Sequence, residues 1–109
     1  MNAKHIAAVA AAATLGVVGT QAWAGEGSAE ASKKKTQMCA GCHGIDGFRT
    51  AFPDVYMVPK IAGQNPSYIV SALKAYKSGD RKHPSMRGIA GSLSDQDMAD
   101  LAAFYAGSN

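Results

Sequence analysis

The segment Cys39-Ala40-Gly41-Cys42-His43 of this 109-residue chain has residue types and a spacing that point to one specific chemistry. Cys-x-x-Cys-His is the pattern on which haem of the c type is attached covalently. Each cysteine sulfur adds across one vinyl group of the porphyrin, and the adjacent imidazole turns to the iron. Residues three apart lie on one face of a helix, so Cys39 and Cys42 can reach neighbouring edges of one flat ring. Because so short a motif also occurs by chance, the rest of the chain has to support it.

Three other uses of the two cysteines have less support. A thiol oxidoreductase carries its Cys-x-x-Cys pair near a βαβ unit, and this chain shows no such pattern. A structural zinc needs two further ligands, and His83 is the only spare histidine outside the N-terminal leader. A disulfide within the motif would close a very small loop and add little stability.

The first 24 residues have the composition of a secretory leader. Lys4 supplies positive charge, an uncharged Ala-rich run extends from Ile6 to Gly19, and Ala22 and Ala24 form an A-x-A cleavage site. The run is shorter than the roughly 20 residues that span a bilayer, which favours a cleaved leader over the alternative, an uncleaved membrane anchor. We expect residues 1–24 to be removed and residues 25–109 to form one periplasmic domain with no stable membrane insertion.

The domain of residues 25–109 is so small that its stability needs support beyond an ordinary core. Small exported domains usually gain that support from disulfides, but this chain has only two cysteines. A buried haem would instead give the few core residues a large apolar surface. Without Lys4, ten basic and eight acidic residues remain, and this small positive charge does not indicate a nucleic acid partner.

Periodicity and end signals predict three helices and no strand of useful length. The first helix runs from Glu26 or Ser28 to Cys42, and Gly44 is available to end it. Its small residues allow another helix to approach closely. The run Lys33-Lys34-Lys35 within it is either a solvated helix face or part of a docking surface for an acidic redox partner.

The other two helices have stronger start signals. Asn65 as N-cap and Pro66 at the first helical position begin the second, which runs to Ser78. Ser94 and Asp97 form a capping box at the start of the third. Apolar residues at helical spacing give each helix a core-facing stripe: Ile69, Leu73 and Tyr76 on the second, and Met98, Leu101, Ala102 and Tyr105 on the third.

Long segments containing Gly and Pro, residues 44–63 and 79–91, separate these helices. Loops of this length are unusual in so small a domain, but irregular loops can wrap around a flat cofactor. The chain resembles the small bacterial class I cytochromes c, through the haem motif, Pro59 to Gln64, Tyr68, Gly79-Asp80-Arg81, Met86 and the ending Leu93 to Tyr105. The resemblance covers essentially all of residues 25–109. It implies an all-α class I cytochrome c fold, with about three main helices and long loops around one covalently bound haem c, in which the first and last helices cross beside the haem.

The resemblance also implies which residues hold the haem. Cys39 and Cys42 would attach it covalently, and His43 would be one axial ligand of the iron. A ligating imidazole usually donates its second ring N–H to a fixed acceptor, and the carbonyl of Pro59 matches that position in the family. The alternative role of Pro59 is only to stiffen a turn. Ile61 would contact the haem as an apolar neighbour.

The second axial ligand has one leading candidate, Met86, which matches the methionine of the family. Met57 and His83 remain alternatives, although His83 between a lysine and a proline is more typical of a surface residue. Met38 directly precedes the motif, and Met98 lies on the apolar stripe of the last helix, where it is most simply a core residue. Arg81 and Tyr68 are candidates for contacts with the haem propionates.

Methionine opposite histidine raises the reduction potential of haem iron and fills both axial positions. We therefore expect an electron carrier and not an enzyme: a soluble monohaem cytochrome that moves single electrons between a membrane complex or dehydrogenase and an oxidase or reductase, as a monomer or weak dimer. The alternative is a haem-based sensor or a peroxidase-like enzyme with a displaceable methionine. Arg81, His83 and Arg87 lie near Met86 in sequence, but they do not form the distal pattern of a peroxidase.

Overall fold

The computed structural model describes residues 27–52 and 55–108. It contains two short antiparallel strands and five helices: α1 (Ala29–Ser32), α2 (Thr36–His43), β1 (Arg49–Thr50), β2 (Tyr56–Met57), α3 (Pro66–Ser78), α4 (Pro84–Gly91) and α5 (Asp95–Ala106). The predominance of helix confirms the predicted fold class. The predicted leader, residues 1–24, lies outside the described residues. Within the described ranges, every helix is too short or too polar to cross a bilayer.

The two helices with the strongest start signals are confirmed as α3 and α5. Asn65 Oδ1 accepts a hydrogen bond from the backbone N–H of Ser67 at 2.9 Å, and α3 ends before Gly79. At the start of α5, Ser94 Oγ accepts from the N–H of Asp97 at 3.1 Å, while the Asp97 carboxylate accepts from the N–H of Ser94 at 2.8 Å. Each cap satisfies backbone donors that have no partner within the helix.

The predicted first helix was wrong as a single helix, because a turn separates α1 from α2. Ser32 Oγ donates to the carbonyl of Ala29 and Thr36 Oγ1 to that of Lys33, both at 2.8 Å. Between them the backbone makes a tighter turn, in which the N–H of Lys35 donates to the carbonyl of Ser32 at 2.7 Å. Hydroxyl bonds to nearby carbonyls compete with the helical ladder, and adjacent lysines repel each other.

Residues 79–91 were predicted as a loop, but they contain α4, so Met86 lies on a helix. The strand pair in residues 49–57 was also not predicted, since each strand has only two residues. α4 contains two glycines and buries only Ala90, so its sequence gives little helical signal. It forms where it can pack against α3.

The core lies where α5 packs against α1 and α3, and where α3 packs against α4. Its buried apolar side chains are Ile69, Leu73, Ala90, Leu93, Met98, Leu101, Ala102 and Tyr105. The full burial of Met98 confirms its prediction as a core residue. The chain just before α1 lies directly on α5. A Cβ at Gly27 would collide with the carbonyl oxygen of Ala99, and the N–H of Ser28 donates to the Asp100 carboxylate at 2.7 Å.

Candidate haem site

The two cysteines and the histidine of the motif lie together on α2. Cys39 and Cys42 are half-buried free thiols one helical turn apart, and His43 is the last residue of the helix. The N–H of Gly44 donates to the carbonyl of Ala40 at 3.0 Å and ends the helix there. The structure therefore has the helical spacing that the sequence predicts for reaching one flat ring.

Cys39 packs against the core and contacts α5 through Tyr105. The Tyr105 hydroxyl donates to the backbone carbonyl of Thr36 at 3.5 Å, which ties α5 to the start of α2. Burial raises the pKa of the Cys39 thiol above its ordinary value, although the Tyr105 hydroxyl beside it acts in the opposite direction. Burial likewise raises the pKa of Tyr105, so both groups carry their protons at neutral pH.

A backbone carbonyl fixes the imidazole of His43. Nδ1 of His43 donates a hydrogen bond to the carbonyl oxygen of Pro59 at 2.6 Å. Because a carbonyl oxygen only accepts, this bond needs a proton on Nδ1, and in the neutral ring Nε2 then has the lone pair that can bind a metal. The structure thus brings together the two residues for which the resemblance implied this bond.

The strand pair and a tight turn place Pro59 beside the end of α2. The N–H of Val58 donates to the carbonyl of Phe48 at 2.9 Å, which continues the pairing of β1 with β2 to the residue before Pro59. Beyond Pro59, Gly63 has a φ of +75°, a conformation that favours glycine. Its N–H donates to the carbonyl of Tyr105 at 2.8 Å, so α5 anchors the far side of the segment.

Ile61 and Met86 are half-buried and pack against the core. Met86 is the third residue of α4, and its thioether is a soft ligand suited to haem iron. The two alternative ligands have other surroundings. Met57 lies on β2 with 60% of its surface exposed, and Nδ1 of His83 accepts a hydrogen bond from the backbone N–H of Met86 at 3.4 Å.

His83 caps α4, a structural role that was not predicted from the sequence. Its ring centroid lies 5.1 Å from that of Tyr56 on β2 and 6.5 Å from that of Tyr76 on α3. The signal was present in His83-Pro84, which repeats the cap-proline pattern of Asn65-Pro66. It was not recognised because histidine is not among the preferred N-cap residues.

The run of three lysines is largely neutralised by neighbouring carboxylates. Lys33 pairs with Glu30 at 2.7 Å, and Lys35 pairs with Asp97 at the start of α5. This arrangement favours the interpretation of the run as a solvated surface over that of a docking site.

Arg81 and Tyr68, the candidates for propionate contacts, contact each other. Nη1 of Arg81 donates to the Tyr68 hydroxyl at 3.4 Å, and the guanidinium lies 4.8 Å from the centre of the Tyr76 ring. Since Tyr68 and Tyr76 both belong to α3, these contacts hold the Arg81 guanidinium against that helix.

The exposed large apolar side chains of the described residues are clustered in one part of the sequence. They all fall between positions 38 and 68: Met38, Ile45, Phe52, Val55, Tyr56, Met57 and Tyr68. Large apolar side chains that a small domain leaves exposed can mark a binding site. A large apolar disc fits such surroundings, and two thiols, an oriented imidazole and a thioether are the donors that its covalent attachment and axial ligation need. The residues present therefore fit a haem.

The chain is similar in sequence to known cytochromes c. A family model described as "Cytochrome c" matches residues 24–106. Cytochrome c4 of Pseudomonas aeruginosa is 41% identical over 93 residues, which are 85% of this chain and 43% of the relative. Cytochrome c-554(548) of Halomonas halodenitrificans is 42% identical over 82 residues, 72% of this chain and 94% of the relative. Cytochrome c4 of Stutzerimonas stutzeri is 39% identical over 101 residues. The chain spans less than half the length of the cytochromes c4 that it matches.

Proposed function

Since this chain belongs to the cytochrome c family, we propose that it carries single electrons between redox proteins. Haem c is the cofactor of this family, and when bound it supplies one iron that accepts and releases one electron. Cys39 and Cys42 would hold it covalently, with His43 and Met86 as axial ligands. The observation that carries the proposal is the 2.6 Å bond from His43 to Pro59, which orients the imidazole on the helix that carries the two thiols.

Electron carriage, in preference to ligand chemistry, is supported by how the two proposed axial side chains are held. The bond to Pro59 limits rotation of His43 and leaves Nε2 available. Met86 is half-buried, lies on a helix and packs against the core, so its side chain has few alternative positions. Two fixed axial ligands would leave no open coordination position for oxygen or a substrate.

The proposal includes export and a single cytochrome domain. Residues 1–24 would be a cleaved leader and residues 25–109 the periplasmic domain. The family match over residues 24–106 supports a single cytochrome domain in this part of the chain. The donor would be a membrane complex or a dehydrogenase, and the acceptor an oxidase or reductase. Association with itself would be weak or absent.

Carbon monoxide binding to the exported and purified protein tests the function. We expect the reduced haem to be six-coordinate and low-spin, with a spectrum that carbon monoxide does not change at neutral pH. Ready binding of carbon monoxide would instead favour the haem-based sensor or the peroxidase-like enzyme, because both need a displaceable methionine.

Two matched methionine variants test the assignment of the ligand. Met86→Ala should allow carbon monoxide to bind and should lower the reduction potential, because the sulfur that favours ferrous iron is lost. Met57→Ala should leave both unchanged, since that side chain is 60% exposed on β2. The opposite pattern would assign the ligand to Met57, and an unchanged spectrum in both variants would point to His83.

A further inference from the structure

His83 connects three separate parts of the fold at the start of α4. Its Nδ1 accepts from the backbone N–H of Met86 at 3.4 Å, within hydrogen-bonding distance. Its ring is tilted by 56° against Tyr56 on β2 and nearly perpendicular to Tyr76 on α3. These two rings restrict the directions in which the imidazole can turn, so Nδ1 stays directed at the helix.

A cap matters for the first turn of α4, because the rest of the helix contributes little to its own stability. The helix has eight residues, contains two glycines and buries only Ala90 completely. A short helix of this composition is marginal by itself, and its first backbone N–H groups have no partner within the helix. The donor that His83 satisfies is the backbone N–H of Met86 itself. If the cap is lost, the turn that carries Met86 can fray.

We propose that His83 is a positioning residue for Met86. Its ring caps α4 and fixes the backbone from which the methionine side chain extends. His83 acts through Met86 and has no contact with the iron in this proposal. The inference rests on the proposed function, in which Met86 is the second axial ligand.

The chain contains a matched control for this role. Asn65 caps α3 in the same way, with a proline at the first helical position, but α3 carries no proposed ligand of the iron. His83→Ala and Asn65→Ala each remove one cap before a proline. His83→Asn replaces the imidazole with a preferred capping side chain and so serves as the rescue variant.

The test measures how readily imidazole replaces Met86 on the oxidised holoprotein. Imidazole can bind only when the methionine has left, so its apparent affinity reports the fraction of open molecules. For His83→Ala we expect an affinity about fivefold higher, the size expected from the loss of one helix cap. We expect His83→Asn to lie within about twofold of the parent by the same reasoning. Asn65→Ala should bind imidazole like the parent while it unfolds at lower urea concentration. Hydrogen exchange at the Met86 amide should be faster in His83→Ala and near the parent rate in His83→Asn.

An imidazole affinity of His83→Ala equal to that of the parent would overturn the proposal, and so would an equal rise in Asn65→Ala. If His83→Asn behaves like His83→Ala, capping is not the mechanism. Failure of the proposed function is detected separately, because a parent protein that already binds carbon monoxide has no closed site for His83 to maintain. If His83→Ala does not fold, hydrogen exchange at the Met86 amide is compared between the parent and His83→Asn. Exchange in His83→Asn that is slower than or equal to that of the parent supports the cap, and much faster exchange refutes it.

Discussion

Substitution of Asp97 by asparagine should separate the contribution of one charge from that of a helix cap. The Asp97 carboxylate accepts from the N–H of Ser94 at 2.8 Å and also pairs with Lys35, which lies just before α2. Asparagine keeps an oxygen for the cap and removes the negative charge. Asp97→Asn therefore tests the link between the start of α5 and the helix that carries the haem motif.

The expected loss follows from the acidity of this carboxyl group. The hydrogen bond with Lys35, together with those from Ser94, lowers the pKa of Asp97 from 3.8 to about 2. At about 1.36 kcal/mol per pKa unit, a shift of this size corresponds to about 2.5 kcal/mol. The Lys35 side chain is 40% exposed, however, and solvent weakens such pairs, so we expect Asp97→Asn to lose about 1 kcal/mol at pH 7.

The pH dependence gives the sharper test. The pKa of Asp97 is lower in the folded protein than in the unfolded chain, so the stabilisation is fully present above the unfolded value of about 4. It is lost as the pH falls through the folded value of about 2. Urea unfolding of the holoprotein, followed by far-ultraviolet circular dichroism from pH 7 to pH 2, should show the difference between parent and Asp97→Asn shrinking towards zero at the acid end.

Asp95 provides the control for this experiment, because it lies in the same first turn of α5. It pairs with Lys74 at 3.6 Å, and both side chains are more than half exposed. We expect Asp95→Asn to cost only a few tenths of a kcal/mol at any pH. A loss in Asp95→Asn as large as that in Asp97→Asn, or a difference between parent and Asp97→Asn that stays constant down to pH 2, would refute the reasoning.

Three further changes test the core and the site. Met98→Ala should lower the free energy of unfolding by about 2–4 kcal/mol in urea, because its side chain is fully buried, whereas exposed Met57→Ala should change it by less than about 0.5. An equal loss in both would contradict the assignment of the core. The double variant Cys39→Ser and Cys42→Ser should take up no covalent haem and should lack a cooperative thermal transition by circular dichroism; a native-like helical transition would show that the cofactor is not needed for folding. Pro59→Ala should keep the spectrum of the holoprotein, because the acceptor is a backbone carbonyl that alanine also provides. A spectrum that indicates loss of an axial ligand would mean that the proline ring itself is required.

The sequence predicted the elements whose ends are determined by local chemistry. Asn65 with Pro66 and the capping box of Ser94 with Asp97 satisfy backbone donors within three residues, so their effect is visible in the sequence. α4 was missed because the imidazole of His83 takes the capping role and because the helix is held by its packing on α3. The break between α1 and α2 was missed because the small residues of this segment fit a continuous helix as well as they fit the observed turn.

The residues of the site also differ in whether local sequence predicts their placement. Cys39, Cys42 and His43 are adjacent in the chain, so their placement on one helix follows from spacing alone. The bond from His43 to Pro59 spans 16 residues and was known only through the resemblance. The proximity of Tyr105 to Cys39 depends on how α5 packs, which no local pattern encodes.

The buried apolar core and the haem-attachment motif lie in different halves of the described chain. Every buried apolar side chain lies between positions 69 and 105, whereas the motif and the exposed apolar side chains around it lie between positions 38 and 68. Direct polar contacts from α5 join the halves, through Asp97, Asp100 and the carbonyl of Tyr105. His43 belongs to the first half and Met86 to the second. The position of one proposed axial ligand relative to the other therefore depends on these polar contacts and on the packing of α1, Cys39 and Ile61 against the core.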